Sequence, residues 1–135
     1  MIGIQSSINM GPWCIPHMVQ TILIEKVVER FGSSLTYMIT EFSLVDDLLA
    51  VKQDLIENPS HLPLVFSSIF QLPKDEVLRS ELLKLIGDRE VIFSIEKIEG
   101  RACMVQEEVN LLIKQYFKSP RQSRDELLTY VKGEI

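Results

Sequence analysis

Cys14 and His17, three residues apart, are the residue types in this chain most suited to chemistry. A thiol near an imidazole can be a nucleophile with its base, provided the two meet in space and a third group orients them. The same pair could supply two of the roughly four ligands that a zinc ion takes. The whole sequence holds two cysteines and two histidines, so a zinc site would need Cys103 and His61, or carboxylates, to converge on Cys14 and His17. The simpler expectation is a small buried thiol at Cys14, a solvated imidazole at the helix start for His17 and a loop histidine at His61. No metal and no cofactor are expected.

The acidic pairs offer no dyad. Asp46-Asp47 and Asp75-Glu76 fall in the first turns of expected helices, where negative charge favours the positive helix end. Glu107-Glu108 sits on a helix surface, and adjacent helical residues point about 100° apart. Among six glycines there is no G-x-G-x-x-G, G-x-x-x-x-G-K-[ST] or G-x-S-x-G spacing, and H-E-x-x-H is absent too. The expectation is a protein that is not an enzyme.

Charge points to partners instead. The formal net charge is −5, which disfavours nucleic acid, because phosphate contacts need a basic footprint. Residues 1–67 hold seven acids against three bases. Asp46, Asp47, Asp54 and Glu57 are the expected recognition patch for a protein with a basic surface. Trp13, in an uncharged N-terminal stretch, is a further contact candidate. The function expected first is therefore a non-enzymatic interaction module: an inhibitor, an immunity-type protein, a secretion chaperone or a regulatory adaptor. The alternative is a transcription-associated regulator using the basic stretch 114–124, with Lys118 and Arg121 at its centre and no acid between Val109 and Arg124. A homodimer is compatible with either.

The chain has 135 residues, 46% of them hydrophobic and 24% charged, which suits one domain and excludes collagen-like, disordered and rod-like classes. No apolar run approaches the roughly 20 residues of a membrane span. No positively charged leader precedes residue 25, and two cysteines do not make a disulfide framework. The expected compartment is the cytoplasm.

The elements that would position these residues read as mostly α. Residues 1–16, with Gly3, Gly11, Pro12 and Pro16, are expected to be irregular, and residues 17–135 to form one helical domain. A helix over 17–31 shows Val19, Leu23, Val27 and Phe31 at spacing four. A capping box at Ser43 and Asp46 would open a second helix, with Leu44, Leu48, Val51 and Leu55 facing the core. Asn58-Pro59 ends it. Residues 61–72, nearly uncharged and apolar all round, suggest a short central helix. Helices are also expected over 74–86 and through Val105, Val109, Leu112 and Tyr116, with a last one from Ser123. Residues 35–42 and 89–99 are ambiguous, and could pair as a two-stranded hairpin beside the bundle. The expectation is a compact bundle of five or six helices.

Overall fold

A computed structural model describes residues 1–7, 10–41 and 48–118. It is an α/β fold built on a five-stranded sheet, which overturns the expected helical bundle. The strands are β1 (Ile2–Ser6), β2 (Tyr37–Glu41), β3 (Leu64–Phe66), β4 (Glu90–Phe93) and β5 (Ile98–Arg101). The helices are α1 (His17–Arg30), α2 (Leu49–Glu57), α3 (Glu76–Ile86) and α4 (Ala102–Lys118). A 3₁₀ turn covers Ile69–Gln71.

Strand order is β2-β1-β3-β4-β5. The first four strands run parallel, and β5 returns antiparallel to β4 through a tight hairpin. The stretch expected to be irregular thus supplies an interior strand, β1. β1 pairs on both sides, with Ile4 opposite Ile39 of β2 and Phe66 of β3. The two ambiguous segments are strands, but they do not pair with each other, since β2 lies on the far side of β1 and β4 finds its hairpin partner in β5. The expected central helix over 61–72 is instead β3 followed by the 3₁₀ turn.

Side chains of a strand point alternately to its two faces, and here each face has its own core. Ile2, Ile4, Leu64, Phe66, Val91 and Phe93 pack on one side with Val51 and Leu55 of α2, Leu82 and Ile86 of α3, and Val105 and Val109 of α4. Val65 and Ile92 pack on the other with Ile24, Val27 and Val28 of α1. Gly3 lets α1 and β2 close over β1, because a Cβ there would lie 2.5 Å from Met38 Sδ and 2.9 Å from Ile24 Cγ2.

The helix expectations hold in position for α1, α3 and α4. On α1 the buried stripe is Gln20, Ile24, Val27 and Val28, rotated from the expected one, and Val19 and Phe31 are exposed. Leu48 is buried as expected, although it precedes α2 as its N-cap. The proposed capping box at Ser43 and the helix from Ser123 lie outside the described residues.

Candidate functional site at the carboxyl edge of the sheet

The chain runs from β1 to β2 on one side, then crosses back past β1 to β3. Open α/β sheets bind ligands outside the carboxyl ends of their strands, at the point where the connections change direction. In this fold that point is the gap between Ser6-Ser7, after β1, and Ser67-Ser68, after β3. Three buried polar side chains, Gln20, Gln71 and Glu96, meet around it.

Gln71 spans the gap. Its Oε1 accepts from the backbone N–H of Ser67 at 2.6 Å and of Ser68 at 3.3 Å. Its Nε2 donates to the carbonyl of Ile4 at 3.0 Å and to Ser6 Oγ at 3.2 Å. The 3₁₀ turn, capped by the Ser68 hydroxyl, holds that amide in place. Gln20, fully buried on α1, accepts from Ser6 N at 2.9 Å and donates to the carbonyls of Ser6 and Ile15, each at 2.8 Å. One amide thereby fixes the end of β1 and the entry to α1 together.

Glu96 occupies the β4–β5 hairpin. Ser68 Oγ donates to its Oε2 at 2.7 Å, Ile69 N donates to its Oε1 at 2.8 Å, and Trp13 Nε1 reaches Oε2 at 3.4 Å. Burial pushes this carboxyl above the usual carboxylate range, against the opposing effect of those three donors. Trp13 itself belongs to a tight turn, in which Met10 and Trp13 exchange two backbone hydrogen bonds of 2.9 Å. Gly11 occupies the left-handed region (φ +57°) beside Phe70, where a Cβ would meet the ring at 2.6 Å.

Above this network stands a pair that can meet a ligand. Ser7 Oγ lies 3.1 Å from His17 Nε2 on the exposed side. Ser7 follows β1, and its backbone N–H is held by the Glu41 carbonyl at 3.1 Å. His17 is the first residue of α1, whose N-cap residue Pro16 makes no side-chain cap bond and whose first turn holds no acid. Helix N-termini of this kind favour acceptor groups. Ser67 Oγ, next to the gap, is buried without a hydrogen-bond partner.

The residues proposed from the sequence are scattered over this fold. Cys14 is exposed, against the expectation of a small buried hydrophobe. Cys103 is exposed too, with its thiol 3.5 Å from Asp88 Oδ1. His61 lies at the opposite, amino edge, far along the chain from the residues at Ser7. Among the described residues no group of three or more potential metal ligands comes together. Trp13 is half-buried and faces Glu96. Asp54 accepts from Tyr37 Oη at 2.7 Å and Asn58 Nδ2 at 3.0 Å, and Glu57 is exposed at the end of α2. Burial, and then Asp54, raise the Tyr37 phenol above its ordinary value. Asp46, Asp47 and Arg121 lie outside the described residues, and Lys118 closes α4.

Gln20, Gln71, Ser68 and Glu96 went unnoticed in the sequence. A signal was present for Gln20, which shares its helical stripe with Ile24, Val27 and Val28 at spacings of four, three and one. A neutral amide inside an apolar stripe must find partners when buried. Gln71 sits likewise among apolar neighbours, in Ile69-Phe70-Gln71-Leu72, whereas Glu96 stands between Ile95 and the charged Lys97 and gives no such signal.

Comparison with protein-family models, with curated proteins and with solved structures finds no match for this chain. No helix among the described residues is long and apolar enough to cross a membrane.

Proposed function

We propose that this chain is a small-ligand-binding α/β protein whose site is the carboxyl edge of its sheet, between the ends of β1 and β3. The observation that carries the reading is the convergence of Gln20, Gln71 and Glu96 on the one place where the sheet connections reverse. Buried polar groups add little to stability in comparison with apolar packing, and satisfied networks serve to fix geometry. The geometry fixed here is that of Ser7, Ser67 and the start of α1. Ser7 and His17 are the ligand-facing groups, and a ligand presenting acceptor oxygens suits the positive N-terminal end of α1 beside them.

The experiment is a heteronuclear NMR screen of the isotope-labelled chain against a set of small polar fragments. Saturable shifts should cluster at Ser6, Ser7, Trp13 to Gln20 and Ser67 to Gln71, and His17→Ala should weaken them. Shifts confined to other parts of the molecule would overturn the proposal.

A second reading keeps the acidic, protein-binding module. Leu49 and Ile56 of α2 are 52% and 66% exposed. They are seven residues apart and so share one side of the helix, with Glu57 beside them. A basic partner carrying an apolar patch would fit that side, and Ile56→Ser should weaken its capture from a host lysate. The reading as a transcription-associated regulator depends on residues 114–124, most of which lie outside the described residues. Two exposed free thiols suit a reducing compartment, and the cytoplasm is the proposed one.

A further inference from the structure

A cavity lies at the opposite end of the sheet, where β3 and β4 begin. It is an open cleft of about 590 Å³, within the range of small-molecule sites, about 300–1,000 Å³. Leu55, Pro63, Leu85 and Ile86 give it an apolar floor. Arg89, Arg101 and His61 line it with nitrogen donors, and Asp88 and Glu90 line it with carboxylates.

These charges are not spent on each other. Among the described residues the single ion pair is Arg30–Glu99, on another part of the surface. Glu90 and Arg101 stand directly opposite in the β4–β5 register and still form no ion pair. The half-buried Arg89 donates through Nε and Nη2 to the Leu62 carbonyl, at 3.0 and 2.8 Å. A neutral carbonyl orients the guanidinium without cancelling its charge, and leaves Nη1 to face a ligand. Burial costs this group enough to lower its proton affinity from the ordinary arginine value, and Tyr37 and Asp54 offset part of that.

We infer that this cleft binds a small zwitterion with an apolar side chain, of the class of the apolar α-amino acids. Its carboxylate would meet Arg89 and Arg101, which present the planar donor forks suited to that group. Its ammonium would meet Glu90 and Asp88, and its side chain would lie on Leu55, Leu85 and Ile86. A simple organic anion would leave the two carboxylates facing it, and a simple amine would leave the two guanidinium groups. The zwitterion answers both signs of charge and the apolar floor.

The test is an NMR titration of the 135-residue chain with L-phenylalanine, alongside 3-phenylpropionate and phenethylamine. L-phenylalanine should give saturable shifts at residues 60–63, 85–90 and 101. Each one-charge analogue should bind on the order of tenfold more weakly, because it forfeits one charge-assisted contact. Arg101→Gln and Glu90→Gln change exposed side chains and should fold normally. Each should weaken L-phenylalanine by a similar factor, and each should leave unchanged the one analogue that lacks the group it recognised. Absence of saturable shifts at these residues, equal binding of all three probes, or indifference to both substitutions would each overturn the inference. Shifts at Ser7 and His17 instead would assign the zwitterion to the other end of the sheet and refute this site.

Discussion

Three donors converge on the Glu96 carboxylate, and each favours its charged form, while burial works the other way and prevails. In the folded chain the carboxyl therefore holds its proton to higher pH than in the unfolded chain. The folded state binds more protons between the unfolded value, about 4.3, and the raised native one. Stability falls as pH rises wherever the folded state is the more protonated. Glu96 should thus stabilise most below about pH 4, and that contribution should be lost as pH rises through the native value. Glu96→Gln removes the titration and keeps the shape. Urea midpoints for both proteins over a pH series should show the wild type losing ground to the variant as pH rises. Parallel curves would mean that Glu96 titrates normally and that the carboxyl edge is wetter than its packing implies. Residues of this kind were hard to read from the sequence, because a single Gln or Glu gives no hint of what it will bond across the fold. Cys14 and His17 drew notice through their chemistry, yet it is Ser7 that His17 meets.

Elements were legible in proportion to how one-sided they are. α1, α3 and α4 each bury one stripe and expose the rest, so a period near 3.6 marks them in the sequence. β1 is buried on both faces along all five residues, and β3 is three residues long and wholly buried. Such strands show no alternation, and parallel central strands seldom do. Gly3 looked like a breaker of regular structure. Its lack of a side chain is instead what allows Met38 and Ile24 to close on β1. Gly3→Val should therefore destabilise the fold by about 1–3 kcal/mol through overpacking, even though valine has the higher strand propensity. A thermal melt decides this. An unchanged or raised midpoint would show that α1 can shift outward at no cost, and that the tight approach at Gly3 is incidental.

The two faces of the sheet are unequal, and that inequality has consequences for the whole molecule. Among the described residues six buried apolar side chains make the core under α1, against twenty-three on the opposite face. Apolar burial contributes about 25 cal/mol per Å², so α1 is held by far the smaller share. Much of its remaining attachment is polar: Gln20 to Ser6 and Ile15, Gln5 to Thr21, and Arg30 to Glu99. Proteins open in cooperative units, and the units with the least buried apolar contact open first. Native-state hydrogen exchange should accordingly show α1 amides exchanging through a partial opening, with lower free energy and weaker denaturant dependence than the amides of β1, β3 and α4. The same helix carries His17 and Gln20, so the most easily opened element is also a wall of the carboxyl-edge site. A ligand that binds only the closed form stabilises it by mass action, about 2.7 kcal/mol at a hundredfold excess over Kd. A fragment bound at Ser7 and His17 should thus slow exchange in α1 selectively, while leaving the amides of α4 near their unliganded rates. If α1 exchanges only together with the central strands, the molecule opens as one unit and the site is rigid before any ligand arrives.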